Sequence, residues 1–302
     1  MLSLRYAIWI PVDTQNGQTS NVNQADNRQE APLLIGETRE FLMRRALLGI
    51  VLLTVCVLLP LIPCLVSGVG DARAAGDNAG PGNWPKGMEF ALLRFIRMEY
   101  SGTGWDDGVD ATSRADVNLL DNLRKVTGFN VATNSERHPI RLLAKYDKGY
   151  APPFVYITGS RGIRVSDRDV QIMREYLVDG GMLFADCGSP QWHESFREFI
   201  KQVFPGESLT NIPKDDVIFQ RPFALTNGAP SVRDYGGKDA MGVKYKGRWA
   251  VFYHPGHIAD AWKTEHPGID ESTAKDALSM GVNIVHYAFS NYLEETQKYR
   301  QR

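Results

Sequence analysis

Cys187 is the residue whose type and position could supply a nucleophile. It follows the apolar run at residues 182–185, which reads as a strand, and it precedes a predicted helix at residues 196–204. A strand-to-helix turn is where many hydrolases present their nucleophile. His254 follows a second predicted strand, residues 248–253, and could act as the general base. The competing interpretation makes Cys187 a buried residue that behaves as a small hydrophobe.

A second set of residues suggests binding rather than catalysis. In open α/β sheets, ligands bind beyond the carboxyl ends of the strands, and four loops of this sequence follow predicted strands there. Aromatic side chains beside carboxylates suit a sugar or peptide surface, and glycine-rich turns can offer backbone N–H groups to an anion. Alternatively, the aromatic residues fold back onto the core. The predicted binding rim consists of Tyr100, Trp105, Asp106, Gly159, Ser160, Asp186 and His257.

The first of these loops also bears on cofactors. Its small residues, 101–104, resemble a phosphate-binding loop, but Asp106, Asp107 and Asp110 would repel a phosphate. We therefore expect no nucleotide cofactor, FMN included.

The histidines near the end of the chain raise the question of a metal. His254, His257 and Asp260 recur at three-residue spacing, whereas close zinc-binding histidine pairs usually lie four residues apart on a helix. Pro255 and Gly256 make this segment a turn. We expect no metal here and interpret the histidines as solvated or hydrogen-bonded residues of the rim.

Alternating strand and helix patterns must position these residues. A run rich in β-branched and aromatic residues, such as 154–158, is typical of a strand buried on both faces. Helices are expected where apolar residues recur at helical spacing. The pattern predicts an α/β fold with a mostly parallel sheet and helices on both faces. The predicted strands are 89–96, 129–132, 154–158, 182–185, 243–245 and 248–253, and the helices are 115–126, 166–179, 196–204 and 278–289.

Composition limits the classes of function. The 302 residues are 43% hydrophobic and 23% charged, which is typical of a folded chain. Lys and Arg total 34 against 35 for Asp and Glu, so the formal charge is −1. A chain this close to neutral has no uniformly basic surface, and nucleic acid is not an expected partner. Three cysteines are too few for a disulfide framework.

The N-terminal third predicts passage through a membrane. Residues 46–66 carry no charged side chain and follow Arg44 and Arg45. As a helix they would span roughly 31 Å, about one hydrocarbon core. The run is interrupted by Pro60 and Pro63, and an A-x-A pattern at residues 72–74 suits signal-peptide cleavage, so anchor and cleaved signal both stay open. The basic flank predicts an N-terminus inside and an extracytoplasmic, periplasmic body.

These features divide the chain into five segments. Residues 1–42 are polar and lack periodicity, so they are either disordered or precede a true start at Met43. The rest divides into a signal peptide or membrane anchor (43–74), a turn-rich linker (75–87), the α/β domain (88–291) and a C-terminal tail (292–302).

Several motifs together resemble a bacterial family known as "domain of unknown function 4159". They are the run 180–187, Val203-Phe204-Pro205, the loop from Tyr100 to Asp106, and residues 281–288. The likeness covers residues 90–289 and implies a flavodoxin-like sheet of the class I glutamine-amidotransferase-like superfamily, without an established activity. Residues 248–257, with Trp262, also resemble trehalose-utilisation-type proteins. The family's association with membrane-anchored proteins of von Willebrand type implies assembly at a membrane.

The resemblance also implies where a catalytic apparatus would lie. Class I amidotransferases use an elbow cysteine, an oxyanion loop and a His-Pro-Glu motif; here Cys187, Gly159-Ser160 and His254-Pro255-Gly256 stand in those places. Gly256 replaces the orienting glutamate, and Asp186 falls at the elbow position. We therefore expect a non-enzymatic binding module at the cell envelope, whose partner is a protein or a glycan. The alternatives are a hydrolase or amidase using Cys187 and His254, and a structural subunit of a membrane complex.

Overall fold

The computed structural model describes residues 92–300, all of which fall within one compact unit. The segments predicted at 1–42, 43–74 and 75–87, the membrane run at 46–66 among them, lie outside the described residues, as do residues 88–91 and 301–302. Within residues 92–300, no helix is both long enough and apolar enough to cross a bilayer.

The fold is α/β, built on a seven-stranded mixed sheet with the order β2-β1-β3-β4-β7-β6-β5. The first five strands in that order are mutually parallel, and β6 and β5 complete the sheet as antiparallel neighbours. The strands are β1 (Ile96–Glu99), β2 (Glu136–Pro139), β3 (Phe154–Gly159), β4 (Met182–Cys187), β5 (Thr210–Asn211), β6 (Met241–Tyr245) and β7 (Arg248–His254).

Helices cover the sheet, and their ends follow the local sequence. Ser166 accepts a hydrogen bond from the Asp169 N–H in a capping box. Ser189 caps the next helix ahead of Pro190. The helices are α1 (Ala115–Thr127), α2 (Asp167–Val178), α3 (Pro190–Val203) and α4 (Glu271–Arg300), with 3₁₀ helices at Ile140–Lys145, Val217–Phe219 and Ile258–Trp262. Helix α4 continues past residue 291, where the sequence analysis placed the start of a tail.

The central strands separate two hydrophobic clusters, one on each face of the sheet. Every residue of β3, β4 and β7 is buried, which explains their nearly continuous apolar runs. Side chains alternate between the faces. In β4, Met182 and Phe184 join one cluster, whereas Leu183, Ala185 and Cys187 join the other.

The first strand differs from its prediction. The sequence suggested residues 89–96, but β1 is Ile96–Glu99, and Leu93 pairs with Val131 only through an isolated bridge. A charged residue follows at position 97. Arg97 is nevertheless fully buried, because Asp116 forms an ion pair with it from the start of α1. The second predicted strand, 129–132, is likewise reduced to that bridge, and β2 forms at Glu136–Pro139 instead.

Candidate functional site

All four loops that carry the predicted site residues follow parallel strands and therefore lie at one edge of the sheet, its carboxyl edge. They follow β1, β3, β4 and β7. Strands β1 and β3 are neighbours, but the chain leaves β1 toward β2 and leaves β3 toward β4. This reversal is a topological switch point, where open α/β sheets form a crevice. We treat the edge as two halves, the β1/β3 half and the β4/β7 half.

In the β1/β3 half, two loops are joined through their backbones. The Ser160 N–H donates to the Gly104 carbonyl over 3.1 Å, and the Ser101 N–H donates to the Arg164 carbonyl over 3.1 Å. Gly104 has φ +93°, and a Cβ there would lie 2.6 Å from the Ser160 Oγ. The close approach therefore requires glycine at position 104.

Trp105 follows this contact and is held from two sides. Its carbonyl accepts a hydrogen bond of 3.0 Å from Arg97 Nη1, while the same guanidinium donates to both carboxylate oxygens of Asp116. On the outside, the guanidinium of Arg137 lies 5.6 Å from the centre of the Trp105 ring. The loop is thus fixed from beneath by a buried ion pair and covered above by an exposed arginine.

Two predicted rim residues in this half are buried. Tyr100 is 5% exposed; its hydroxyl donates to the Thr158 carbonyl and accepts from Trp192 Nε1, each over 3.1 Å. Burial raises the pKa of Tyr100 to about 12. Gly159 is also buried, and a Cβ there would lie 2.0 Å from the Tyr100 hydroxyl oxygen. Of the predicted rim residues in this half, Asp106 and Ser160 are exposed and Trp105 is half-buried.

In the β4/β7 half, Asp186 fixes the loop after β7. Its two carboxylate oxygens accept the backbone N–H groups of Ile258 and Ala259, each over 2.9 Å. The preceding residue, His257, has φ +53°, and the 3₁₀ helix begins after it. Complete burial raises the pKa of Asp186 to about 6, although nearby His257 and the two N–H groups oppose that rise.

A row of paired polar side chains crosses from this half toward the other. His257 Nε2 lies 3.3 Å from Asp107, which also contacts Lys263. Lys263 Nζ lies 3.0 Å from Asp260, and Arg233 Nε donates to Asp260 over 2.7 Å. Burial of Asp107 opposes its ionisation, but His257 and Lys263 together lower its pKa to about 2. These polar side chains are already paired with one another.

The thiol and imidazole proposed as a pair lie on opposite faces of the sheet. His254 is the register partner of Asp186 and shares its face, whereas Cys187 packs with Tyr253 on the other face. The Cys187 Sγ–H donates to the Ser189 carbonyl over 3.1 Å, and burial raises the pKa of Cys187 to about 11. The structure does not bring the two side chains together.

His254 is held in its neutral form. Its Nδ1 accepts the Gly256 N–H over 3.1 Å, and complete burial lowers the pKa of His254 to about 4. Its buried Nε2 has no well-placed hydrogen-bond partner among the described residues, although the Ala229 backbone opposes the effect of burial on the pKa. A neutral imidazole engaged at Nδ1, without a carboxylate to orient it, lacks the third group of a catalytic triad.

The candidate metal ligands do not converge. His257 contacts Asp107, whereas Asp260 contacts Lys263 and Arg233. The part of the chain that the structure describes contains no group of three or more His, Cys, Asp or Glu side chains arranged to hold a metal ion.

The sequence analysis did not identify Arg97, which supports the Trp105 loop from beneath, or Arg137, which covers the Trp105 ring from outside. Arg97 reads as a surface residue, and its partner Asp116 is 19 positions away. Arg137, on edge strand β2, has no sequence link to Trp105. The sequence could have indicated the role of Arg97, because a charged residue within an apolar strand needs a partner when it is buried.

The chain belongs to the family described as "Domain of unknown function (DUF4159)", whose model matches residues 94–289. No curated protein was found to match the chain. The matched range runs from the residue before Phe95 in the core to Phe289 of α4, and so includes both halves of the carboxyl edge.

Proposed function

We propose that this DUF4159 domain is a non-enzymatic binding module that holds a partner at the exposed surface of the β1/β3 half. The observation that carries this proposal is the contrast in exposure between the candidate groups. Asp106 and Ser160 are exposed and Trp105 is half-buried, whereas Cys187 and His254 are fully buried. A partner can reach the first set without any rearrangement of the fold.

The state of the buried groups argues against the alternative of a hydrolase or amidase. A thiol with a pKa of about 11 supplies little thiolate at neutral pH. The one imidazole proposed to activate it lies across the sheet. A nucleophile and its base must lie within hydrogen-bonding reach of one another, which this arrangement does not provide.

We further propose a flavodoxin-like arrangement of the class I glutamine-amidotransferase-like type, with a likeness to trehalose-utilisation-type proteins near β7. The order of the five parallel strands, β2-β1-β3-β4-β7, supports this placement. It corresponds to the doubly wound order in which the crevice lies between the first and third strands.

We also propose that the domain works at the bacterial cell envelope, exported or tethered to the membrane. The uncharged run at residues 46–66 behind Arg44 and Arg45 supports this proposal. The partner would then be an envelope protein or glycan, or a neighbouring subunit if the domain is a structural part of a membrane complex.

Site-specific photo-crosslinking in the producing cells tests the binding surface. A benzophenone amino acid replaces Ser160 in the full-length chain, and a matched chain carries it at Lys125, an exposed residue near the end of α1. We expect a discrete higher-mass adduct from position 160 and none from position 125. Trp105→Ala in the position-160 chain should abolish the adduct. An adduct at both positions, or at neither, would overturn the proposal.

A further inference from the structure

We infer that the exposed surface of the β1/β3 half binds an acidic peptide segment of a protein partner, through the three exposed arginines Arg137, Arg161 and Arg164. Arg137 lies on edge strand β2, and the other two lie in the loop between β3 and α2. This inference rests on the proposed function and names the partner chemistry of that surface.

The three arginines surround one loop. Backbone hydrogen bonds join Arg164 to Ser101 and Ser160 to Gly104, so the loop that carries Arg161 and Arg164 lies directly against the loop that carries Trp105. The Arg137 guanidinium covers the Trp105 ring from the β2 side. Three exposed arginines on two separate elements therefore border the loop that carries Trp105 at the switch point.

These arginines lack acidic partners, whereas most of the acidic residues around them are already paired or hydrogen-bonded. Among residues 92–296, no carboxylate lies within 4.0 Å of any of the three guanidinium groups. The nearby acids are already engaged: Asp107 contacts His257 and Lys263, Asp116 contacts Arg97, and Asp110 accepts the N–H groups of Thr112 and Ser113. Exposed acids without an ion pair at this surface are Glu99 and Asp106.

Guanidinium groups recognise carboxylates in a specific geometry. The planar fork donates two parallel hydrogen bonds to one carboxylate. Stacking on Trp105 restricts the motion of the Arg137 side chain before a ligand arrives, which lowers the entropy lost on binding. Several such forks on one surface suit the successive carboxylates of a Glu- or Asp-rich segment.

The aromatic residue favours a peptide over a polysaccharide. Sugar recognition uses an open aromatic face, but Arg137 covers one side of Trp105 and the ring packs against the hydrophobic cluster beneath the loop. Tyr100, the other aromatic residue of this half, is buried beneath the loop with its hydroxyl engaged. No aromatic ring among the described residues of this crevice lies fully open for a sugar to stack on.

Fluorescence anisotropy with the full-length chain in detergent tests the inference. The probe is a fluorescein-labelled peptide of alternating Glu and Ser, and a Ser-Gly peptide is the uncharged control. We expect saturable binding of the acidic peptide that weakens about tenfold or more in about 0.5 M NaCl, since the contacts are exposed ion pairs. The triple variant Arg137→Gln/Arg161→Gln/Arg164→Gln should weaken binding by at least about tenfold.

A matched control separates specific contacts from overall charge. The variant Lys125→Gln/Lys145→Gln/Lys201→Gln removes the same charge from exposed residues away from the crevice. It should bind the acidic peptide within about twofold of the unmodified chain. Equal loss in both triple variants would overturn the inference, as would equal binding of the Ser-Gly peptide. Tighter, arginine-dependent binding of oligogalacturonate would replace the peptide with an acidic polysaccharide.

The two proposals fail in different ways. If the position-160 adduct forms in cells and survives the triple arginine substitution, the binding module stands and the acidic-peptide inference falls. If no adduct forms at position 160, the proposed function falls together with the inference. If the adduct forms and the triple substitution abolishes it along with peptide binding, both are supported.

Discussion

The two halves of the carboxyl edge use similar residues in opposite ways. In the β4/β7 half, Asp186, His257, Asp260 and Lys263 are largely shielded from solvent and contact one another or the backbone. In the β1/β3 half, Asp106, Arg161 and Arg164 are exposed and have no ion-pair partner among the described residues. Burial and pairing, rather than residue type, therefore distinguish the two halves. Shielded, paired side chains hold the loops in place, whereas exposed, unpaired side chains are available to a binding partner.

The buried ion pair beneath the β1/β3 half should give the largest effect on stability. Arg97→Met leaves Asp116 buried without its partner and should lower the free energy of unfolding by about 3–5 kcal/mol. Urea unfolding followed by tryptophan fluorescence measures it. The double variant Arg97→Met/Asp116→Leu should recover much of the loss, because both buried charges are removed. A single variant as stable as the unmodified chain would contradict this role.

Asp186 should make the stability depend on pH in the acidic range. Its pKa is about 6 in the folded protein against an ordinary value of 3.8. Since the folded state binds this proton more tightly, the stabilisation is complete below about pH 4 and is lost as the pH rises through about 6. The lost free energy is about 3 kcal/mol. Because burial lowers the pKa of His254 to about 4, His254 contributes an opposite slope over the same range. The Asp186 contribution is therefore measured as a difference from a variant that lacks this carboxylate.

Asp186→Asn is the comparison for that measurement, because asparagine does not titrate. The unfolding free energy of the unmodified chain minus that of this variant should fall by about 3 kcal/mol between about pH 4 and 6.5, whereas the same difference taken with Asp106→Asn, at an exposed position of the other half, should not change. A difference that does not change with pH would contradict the assignment of this titration to Asp186.

Cys187 should behave as an apolar core residue. Because its pKa is about 11, only about one thiol in a thousand is ionised at pH 8, so a thiol reagent should label the folded protein far more slowly than the unfolded chain. The measurement uses a chain in which Cys56 and Cys64 are replaced by serine. Cys187→Ala should cost about 1 kcal/mol of stability. Rapid labelling of the folded protein near pH 6 would contradict this assignment.

The exposed arginines should give the smallest effect on stability. Arg161→Gln and Arg164→Gln should each change the free energy of unfolding by less than about 0.5 kcal/mol, because neither side chain has an ion-pair partner to lose. The same urea unfolding experiment measures this. A loss of 2 kcal/mol or more, by the scale of buried sites, would make these residues structural.

Much of the framework could be predicted from local pattern. The apolar runs that became β3 and β4, the hairpin around Lys246-Gly247 and the capping box at Ser166 all depend on residues close together in sequence. The common edge for the four loops also followed, because parallel strands end at the same side of a sheet. The position of β1 could not be predicted, since burial of Arg97 depends on a partner in α1.

The sequence alone determined that strands and helices alternate and that Cys187 and His254 each lie at the end of a strand. Only the tertiary structure decided that the two side chains face opposite sides of the sheet, and that Tyr100 and Asp186 are buried while Asp106 and Ser160 are exposed. The physical reason is that backbone pattern depends on near neighbours, whereas the face, burial and charge state of a side chain depend on the register between distant strands and on the residues that pack over their ends.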